Sequence, residues 1–267
     1  MEIQAMNSVK DYLTKESNVI LAFWYGSGAK GVQTDESDID LAVYLKDENQ
    51  EDQIWRQLTN ILEDNVDLVS LNRAPATLIS AVFKTGVPLV IKDRGLYWKL
   101  YLEKTMEAED FADFAESYRR IYERSRSLTP EDKTRLSERI TFLQGEIAEL
   151  DRFVNLTIPE YENNKTLRRE VERWTENIIN ALIDVSKIIL AAEKYEMPKT
   201  YEEALRKFAA VAGLDEKEAE KISSFARLRN ILAHEYLDIL YQKIAIFLKE
   251  LPPLYSKIHS FLEKQGF

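Results

Sequence analysis

Hydrophobic positions in the first third of the chain fall into blocks of two kinds. Residues 3–15 carry apolar side chains at amphipathic-helix spacing, and NVILAFWYG (18–26) follows as an unbroken apolar run that suits a buried strand. DIDLAVYLK (38–46) reads as a second strand. Residues 50–64 read as a helix with Ile54, Leu58, Ile61 and Leu62 on one side, and VDLVSL (66–71) and VPLVIKD (87–93) as short strands with a helix between them. This predicts a small α/β unit ending near residue 94. Beyond it the repeat is helical almost throughout. Residues 96–127, rich in Tyr, Phe, Glu and Arg, read as helices that close the first domain. Leu136, Ile140, Leu143, Ile147, Leu150 and Val154 make one long seam in 131–157, and a second runs from Leu167 through Val171, Trp174, Ile178, Ala181, Val185 and Ile188 to Ala192.

Punctuation between these blocks marks the domains. Thr129 can cap a helix that Pro130 starts, which places a boundary there and divides the chain into residues 1–128 and 129–267. Thr200-x-x-Glu203 and Asp215-x-x-Glu218 have capping-box form, and Gly213 stops the helix before the second. Pro252-Pro253 is expected to split the last stretch into two helices. The fold class is therefore α+β, a small mixed-sheet domain followed by an all-α bundle of about five helices.

Composition narrows the function. With 267 residues, 45% hydrophobic and 31% charged, the chain is long enough for one large or two small globular domains. No apolar run reaches the roughly 18 to 20 residues that cross a bilayer, and MEIQAMNSVKDYL lacks the layout of a secretory signal. Cysteine is absent, which excludes disulfides and thiolate metal sites, so a cytoplasmic location and no membrane partner are expected. A net charge of −10 argues against a broad nucleic-acid surface but leaves room for a small basic site. The only histidines, His234 and His259, cannot make a histidine-rich metal centre.

Candidate chemistry in the first domain centres on carboxylates. Asp38 and Asp40 are two apart on a predicted strand, so both point from one face, while Ile39, Leu41, Val43 and Leu45 take the other, which helix must cover. Two adjacent carboxylates repel unless a cation lies between them, which favours a hard divalent ion such as Mg²⁺. Asp67, flanked by Val66 and Leu68 on the next strand, offers a third. Gly26-Ser27 ends the first strand and runs into Gly28-Ala29-Lys30-Gly31, a small-residue turn whose backbone N–H groups and Ser27 hydroxyl suit a phosphate. Phosphate oxygens would then meet metal-bound aspartates, and the third aspartate could accept a proton from an attacking hydroxyl.

The ordered set of strand, Gly-Ser, ten residues and Asp-x-Asp in GSGAKGVQTDESDIDLAVYL resembles the signature of minimal nucleotidyltransferases of the DNA polymerase beta superfamily, over about residues 15–95. The resemblance implies two-metal transfer of a nucleoside monophosphate from a nucleoside triphosphate, with ATP as donor, Mg²⁺ held by Asp38, Asp40 and Asp67, and Gly26 and Ser27 gripping phosphate.

In the bundle, SSFARLRNILAHEYLDIL (223–240) holds Arg229, His234 and Tyr236. On a continuous helix Arg229 and His234 diverge by about 140°, so sharing a site requires the reach of the Arg side chain, a helix break or a second copy. Arg-x4-His-x-Tyr resembles the motif of HepT-type proteins in the HEPN superfamily, and RREVERWTENIINALIDVSKIILA (168–191) resembles that family's long central helix. The resemblance implies a metal-independent ribonuclease in which His234 moves protons and Arg229 stabilises phosphate charge, built as a homodimer through the helical domain and acting on RNA. It also implies an MntA-type partner that attaches AMP to the motif tyrosine, here Tyr236, as antitoxin to the ribonuclease toxin. The whole chain then reads as a single-chain toxin–antitoxin fusion. A small-molecule nucleotidyltransferase similar to the aminoglycoside-modifying enzymes is the alternative; it needs a bundle carboxylate such as Asp184 or Glu176 at the cleft. A binding module with carboxylates that do not turn over is a third. Arg173, Asn177, Asn180, Asp184 and Lys187 form a polar stripe that is either a solvated face or the lining of the Arg229/His234 groove.

Overall fold

The computed structural model describes residues 2–29, 39–62, 66–124, 128–234 and 240–266, which group into two compact units, 1–110 and 111–267. The first holds a four-stranded sheet built from β1 (Val19–Tyr25), β2 (Ile39–Leu45), β3 (Val66–Ser70) and β4 (Val87–Ile91), in the order β3-β2-β1-β4. β1 runs antiparallel to both β2 and β4, and β2 parallel to β3, so the sheet is mixed.

Strand alternation decides what covers each face. Ile39, Leu41, Val43 and Leu45 point to one side, where Met6, Val9 and Leu13 of α1 (Glu2–Lys15) and Ile54 and Leu58 of α3 (Glu51–Leu62) bury them. Leu21, Phe23 and Ala42 point to the other, beneath Ile79, Val82 and Phe83 of α4 (Ala76–Thr85) and Tyr97, Leu100 and Tyr101 of α5 (Arg94–Tyr122). A four-residue turn of helix, α2 (Gly26–Ala29), follows β1 directly. Two asparagines tie down the far end of β2 by mimicking a neighbouring peptide. Asn72 donates to the Leu45 carbonyl and accepts from its N–H, both at 2.9 Å, and Asn18 does the same for Asp47 at 2.9 and 2.8 Å.

The second unit is helical, made of α6 (Pro130–Ile147), α7 (Ile158–Asn163), α8 (Lys165–Ala192), α9 (Tyr201–Val211), α10 (Glu216–His234), α11 (Leu240–Lys264) and the end of α5. The α8 seam is buried from Val171 to Ala192, making α8 the central rod of the core. Thr129 and Asp132 form a reciprocal capping box at the start of α6, and Asp215 and Glu218 exchange bonds of 2.9 and 3.0 Å at the start of α10. At α9 the Thr200 hydroxyl accepts from Glu203 N–H at 3.1 Å, but the Glu203 carboxylate takes the Lys199 N–H, one residue before the cap. Gly213 ends that helix region with φ +79°, a left-handed conformation that a side chain would strain.

Three expectations need correction. Residues 96–122 lie in one helix, α5, rather than in several. Its residues Phe111, Phe114, Tyr118 and Ile121 sink into the helical core, and the compact units divide at Asp110/Phe111. Helix α6 ends at Ile147; Leu150 of the 131–157 seam still packs against the core, but Val154 is exposed and Phe153 turns inward against Trp174, before Thr157 starts a new capped helix. Pro252-Pro253 does not break the last helix. Both prolines keep off its buried side, and Ile244, Phe247, Leu248 and Leu251 before them and Leu254, Ile258 and Leu262 after them lie in one core. Burial on both sides outweighs the two lost amide donors.

Candidate functional site

In the first unit, strand register brings together residues far apart in the chain. Asp40 is the β2 partner of Tyr25 on β1 and of Asp67 on β3, so Tyr25, Asp40 and Asp67 form one row across three strands. Gly26 follows Tyr25 with φ +78°, and a Cβ there would lie 1.9 Å from Asp40 Oδ2. The space that any other residue's side chain needs is therefore filled by the Asp40 carboxylate. Only glycine allows both the backbone turn and this approach. Ser27 is half-buried one residue on, and Asp67 is exposed on the edge strand. The start of β3 is pinned by Trp55 of α3, whose indole N–H donates to the Val66 carbonyl at 2.9 Å. Asp38 lies outside the described residues, which contain no group of three or more candidate metal ligands.

Sequence reading passed over Tyr25. Burial first, then the charges of Asp67 and Asp40, push its phenol up to about 12, so it remains a neutral donor beside the carboxylates. Strand parity was the available signal: Tyr25 ends a predicted strand immediately before the Gly-Ser turn. The row fits a hard divalent ion on the chemistry of its donors. Asp40 and Asp67 present carboxylate oxygens from adjacent strands, and Gly26 leaves the Asp40 carboxylate room that a Cβ would take.

In the second unit α10 is continuous to His234, so Arg229 and His234 stand five positions apart on one helix, a spacing that fits no whole number of turns. The His234 side chain and all of Tyr236 lie outside the described features. Arg229 is half-buried and held from three sides. Its Nε donates to Asn180 Oδ1 on α8 at 3.0 Å, one terminal nitrogen donates to Asn230 Oδ1 at 3.4 Å, and its guanidinium carbon stands 5.4 Å from the centre of the Tyr201 ring. The polar stripe thus splits in function. Asn180 reaches Arg229, whereas Arg173 pairs with Glu176 at 3.0 Å and Lys187 with Asp184 at 2.9 Å. Asp184 also meets Arg139 at 3.1 Å, so each of the two candidate bundle carboxylates, Asp184 and Glu176, is engaged by a cation of its own unit. Among the described residues no helix is long and apolar enough to cross a membrane.

Two family models match, one per unit. Residues 7–95 match polymerase beta nucleotidyltransferases, and residues 143–261 match HepT-like ribonucleases. The tRNA nuclease HepT of Aphanizomenon flos-aquae (strain 2012/KM1/D3) is 27% identical over 131 residues, covering 48% of this chain and 89% of that protein. Among solved structures, a toxin–antitoxin with AMP-PNP is 21% identical with a TM-score of 0.35, covering 42% of this chain and 90% of its own. A tri-AMPylated Shewanella oneidensis HEPN toxin in complex with MNT antitoxin is also 21% identical, with a TM-score of 0.34 and coverage of 42% and 89%.

Proposed function

We propose that the chain, whose residues 7–95 match polymerase beta nucleotidyltransferases and whose residues 143–261 match HepT-like ribonucleases, is a toxin–antitoxin pair in one polypeptide. Its first domain transfers AMP from ATP to Tyr236 of the second and thereby silences a ribonuclease site built on Arg229 and His234. The observation that carries the reading is the row of Asp40 and Asp67 with Gly26 packed against the Asp40 carboxylate.

In this reading Asp38, Asp40 and Asp67 hold Mg²⁺, which when bound supplies positive charge to the triphosphate oxygens. Gly26 and Ser27 orient the phosphates through backbone N–H groups and a hydroxyl. The Tyr236 hydroxyl oxygen attacks the α-phosphorus, the bond from that phosphorus to the bridging β-oxygen breaks, and pyrophosphate leaves. Asp67, exposed at the edge strand, takes the phenolic proton. The product carries a phosphodiester anion two residues from His234. Such a bulky anion repels an incoming RNA phosphate and fills the space it needs.

For the ribonuclease, the 2′-hydroxyl of RNA attacks the adjacent phosphorus and the 5′-oxygen leaves. His234 moves the proton, and Arg229 balances charge on the phosphate. Because a five-residue spacing on a helix fits no whole number of turns, a second copy of the helical domain completes the site in this reading, which makes a homodimer the active form. The relative from Aphanizomenon makes tRNA the first substrate to try.

Intact-mass measurement before and after ATP and Mg²⁺ tests the core of this. The protein should gain mass in steps of one AMP, with the first addition mapping to Tyr236 and absent from Tyr236→Phe. The Asp40→Ala protein, free of AMP, should cut tRNA in EDTA, and His234→Ala in that background should stop it. AMP appearing only on an added small molecule would replace this reading with the aminoglycoside-type alternative.

A further inference from the structure

Arg229 is held in place by residues that neither family motif includes. Tyr201 is the first residue of α9, set there by the Thr200 cap, and only 8% of it is exposed. Its ring meets Phe111 edge-on at 5.2 Å and Phe114 at 5.5 Å, while those two rings stack on one another at 5.1 Å. Both phenylalanines belong to α5, which precedes the HepT-like match at 143–261. Three packed rings therefore form a rigid floor, and the Arg229 guanidinium lies over the one nearest α10. Asn180 then fixes rotation in the guanidinium plane by accepting from Nε at 3.0 Å.

We propose that Asn180 and Tyr201 are positioning residues that fix the Arg229 guanidinium for a substrate phosphate, with Phe111 and Phe114 bracing Tyr201. This rests on the ribonuclease reading above for its role in turnover. An arginine free to sample its rotamers must be ordered each time it meets a phosphate, whereas one clamped by a ring and an amide is already ordered. The α5 floor adds a consequence. The ribonuclease site of this chain depends on residues outside its HepT-like segment.

The test uses the full chain in the Asp40→Ala background, labelled with ¹⁵N-arginine, with the Arg229 Nε–H resonance assigned by its loss in Arg229→Lys. Tyr201→Leu and Asn180→Leu should each displace that resonance and lower kcat for RNA cleavage about tenfold to a hundredfold, with KM changed less than about threefold. Tyr201→Phe keeps the ring and should recover both the resonance and the activity lost in Tyr201→Leu. Should Tyr201→Leu fail to fold, the half-exposed Asn180 carries the same comparison. An unmoved resonance in Asn180→Leu and Tyr201→Leu, or full kcat despite a displaced one, would overturn the proposal. If the Asp40→Ala parent, free of AMP, cuts no RNA, the ribonuclease reading falls by itself, and the resonance alone decides whether these residues fix Arg229.

Discussion

The two units build their sites by opposite means. In the sheet, residues 25, 40 and 67 become neighbours because register lines them up across three strands, and the close approach of Gly26 seals the arrangement. In the bundle, Arg229 and His234 are five positions apart on α10, and Arg229 finds contacts on α8 and α9. A two-residue spacing on a strand is already a geometry, because the strand repeat is two. A five-residue spacing on a helix is an unfinished one, because it fits no whole number of turns. The sheet site should therefore be brittle to single atoms, and the bundle more forgiving.

The sharpest way to break the comparison is at Asp40. Asp40→Ala should cut nucleotidyl transfer by at least about a hundredfold, the scale of losing one transition-state charge stabiliser. It removes no core packing, so the thermal midpoint should move by less than about 4 °C. Transfer assayed by AMP incorporation and melting by circular dichroism check the two halves. Transfer near the original rate would show that the row is only a sheet edge.

Gly26→Ala comes next and tests closeness rather than charge. The methyl would stand on Asp40 Oδ2, and the backbone would be held at φ +78°, a conformation costing about 1–2 kcal/mol for a residue with a Cβ. The carboxylate must shift, so transfer should fall about tenfold to a hundredfold while Asp40 itself is still present. ATP-dependent mass gain over time measures it. A rate within about twofold of the parent would mean that the approach has no part in catalysis.

How much of this was legible differs between the units for the same reason. The strands and the covered Ile39–Leu45 face follow from alternation, a local property. That Tyr25 joins Asp40 and Asp67 does not, since pairing register between β1 and β2 is set by packing. In the bundle the α8 seam and the caps were readable, but the contacts of Arg229 with Asn180 and Tyr201 join positions separated by whole helices. Local rules also misjudged two backbone features, the continuous α5 and the prolines of α11. In α11, burial of apolar residues on both sides of the prolines outweighed the local signal.

The prolines offer a milder test of how forgiving the bundle is. Pro253 is exposed inside α11 and leaves the Lys249 carbonyl without the amide that normally meets it. Pro253→Ala restores that donor, worth up to about 3 kcal/mol, against a loss of about 0.4–1 kcal/mol from a looser unfolded chain. A net gain of about 1–2 kcal/mol in urea unfolding is expected. A loss instead would mean that the packing of α11 needs a proline-shaped bend.

The smallest effect should come from Asp132, and its sign can be worked out. Burial alone raises this carboxyl, but bonds from the Thr129 hydroxyl and N–H, with Arg124 and Arg120 nearby, bring it below the ordinary carboxylate range. A group whose folded value is depressed stabilises fully above its unfolded value, about 4, and loses that contribution as pH falls through the folded value. Asp132→Asn keeps the shape and an acceptor but never ionises. It should therefore cost about 1 kcal/mol at pH 7, the scale of a helix cap, and progressively less as the pH drops below about 4. Urea unfolding of both proteins at pH 7 and at low pH, followed through the helical signal, reads the difference. A gap that stays constant with pH would assign the cap of α6 to shape alone. A gap that closes would show that even the tolerant unit holds the start of α6 by a charge.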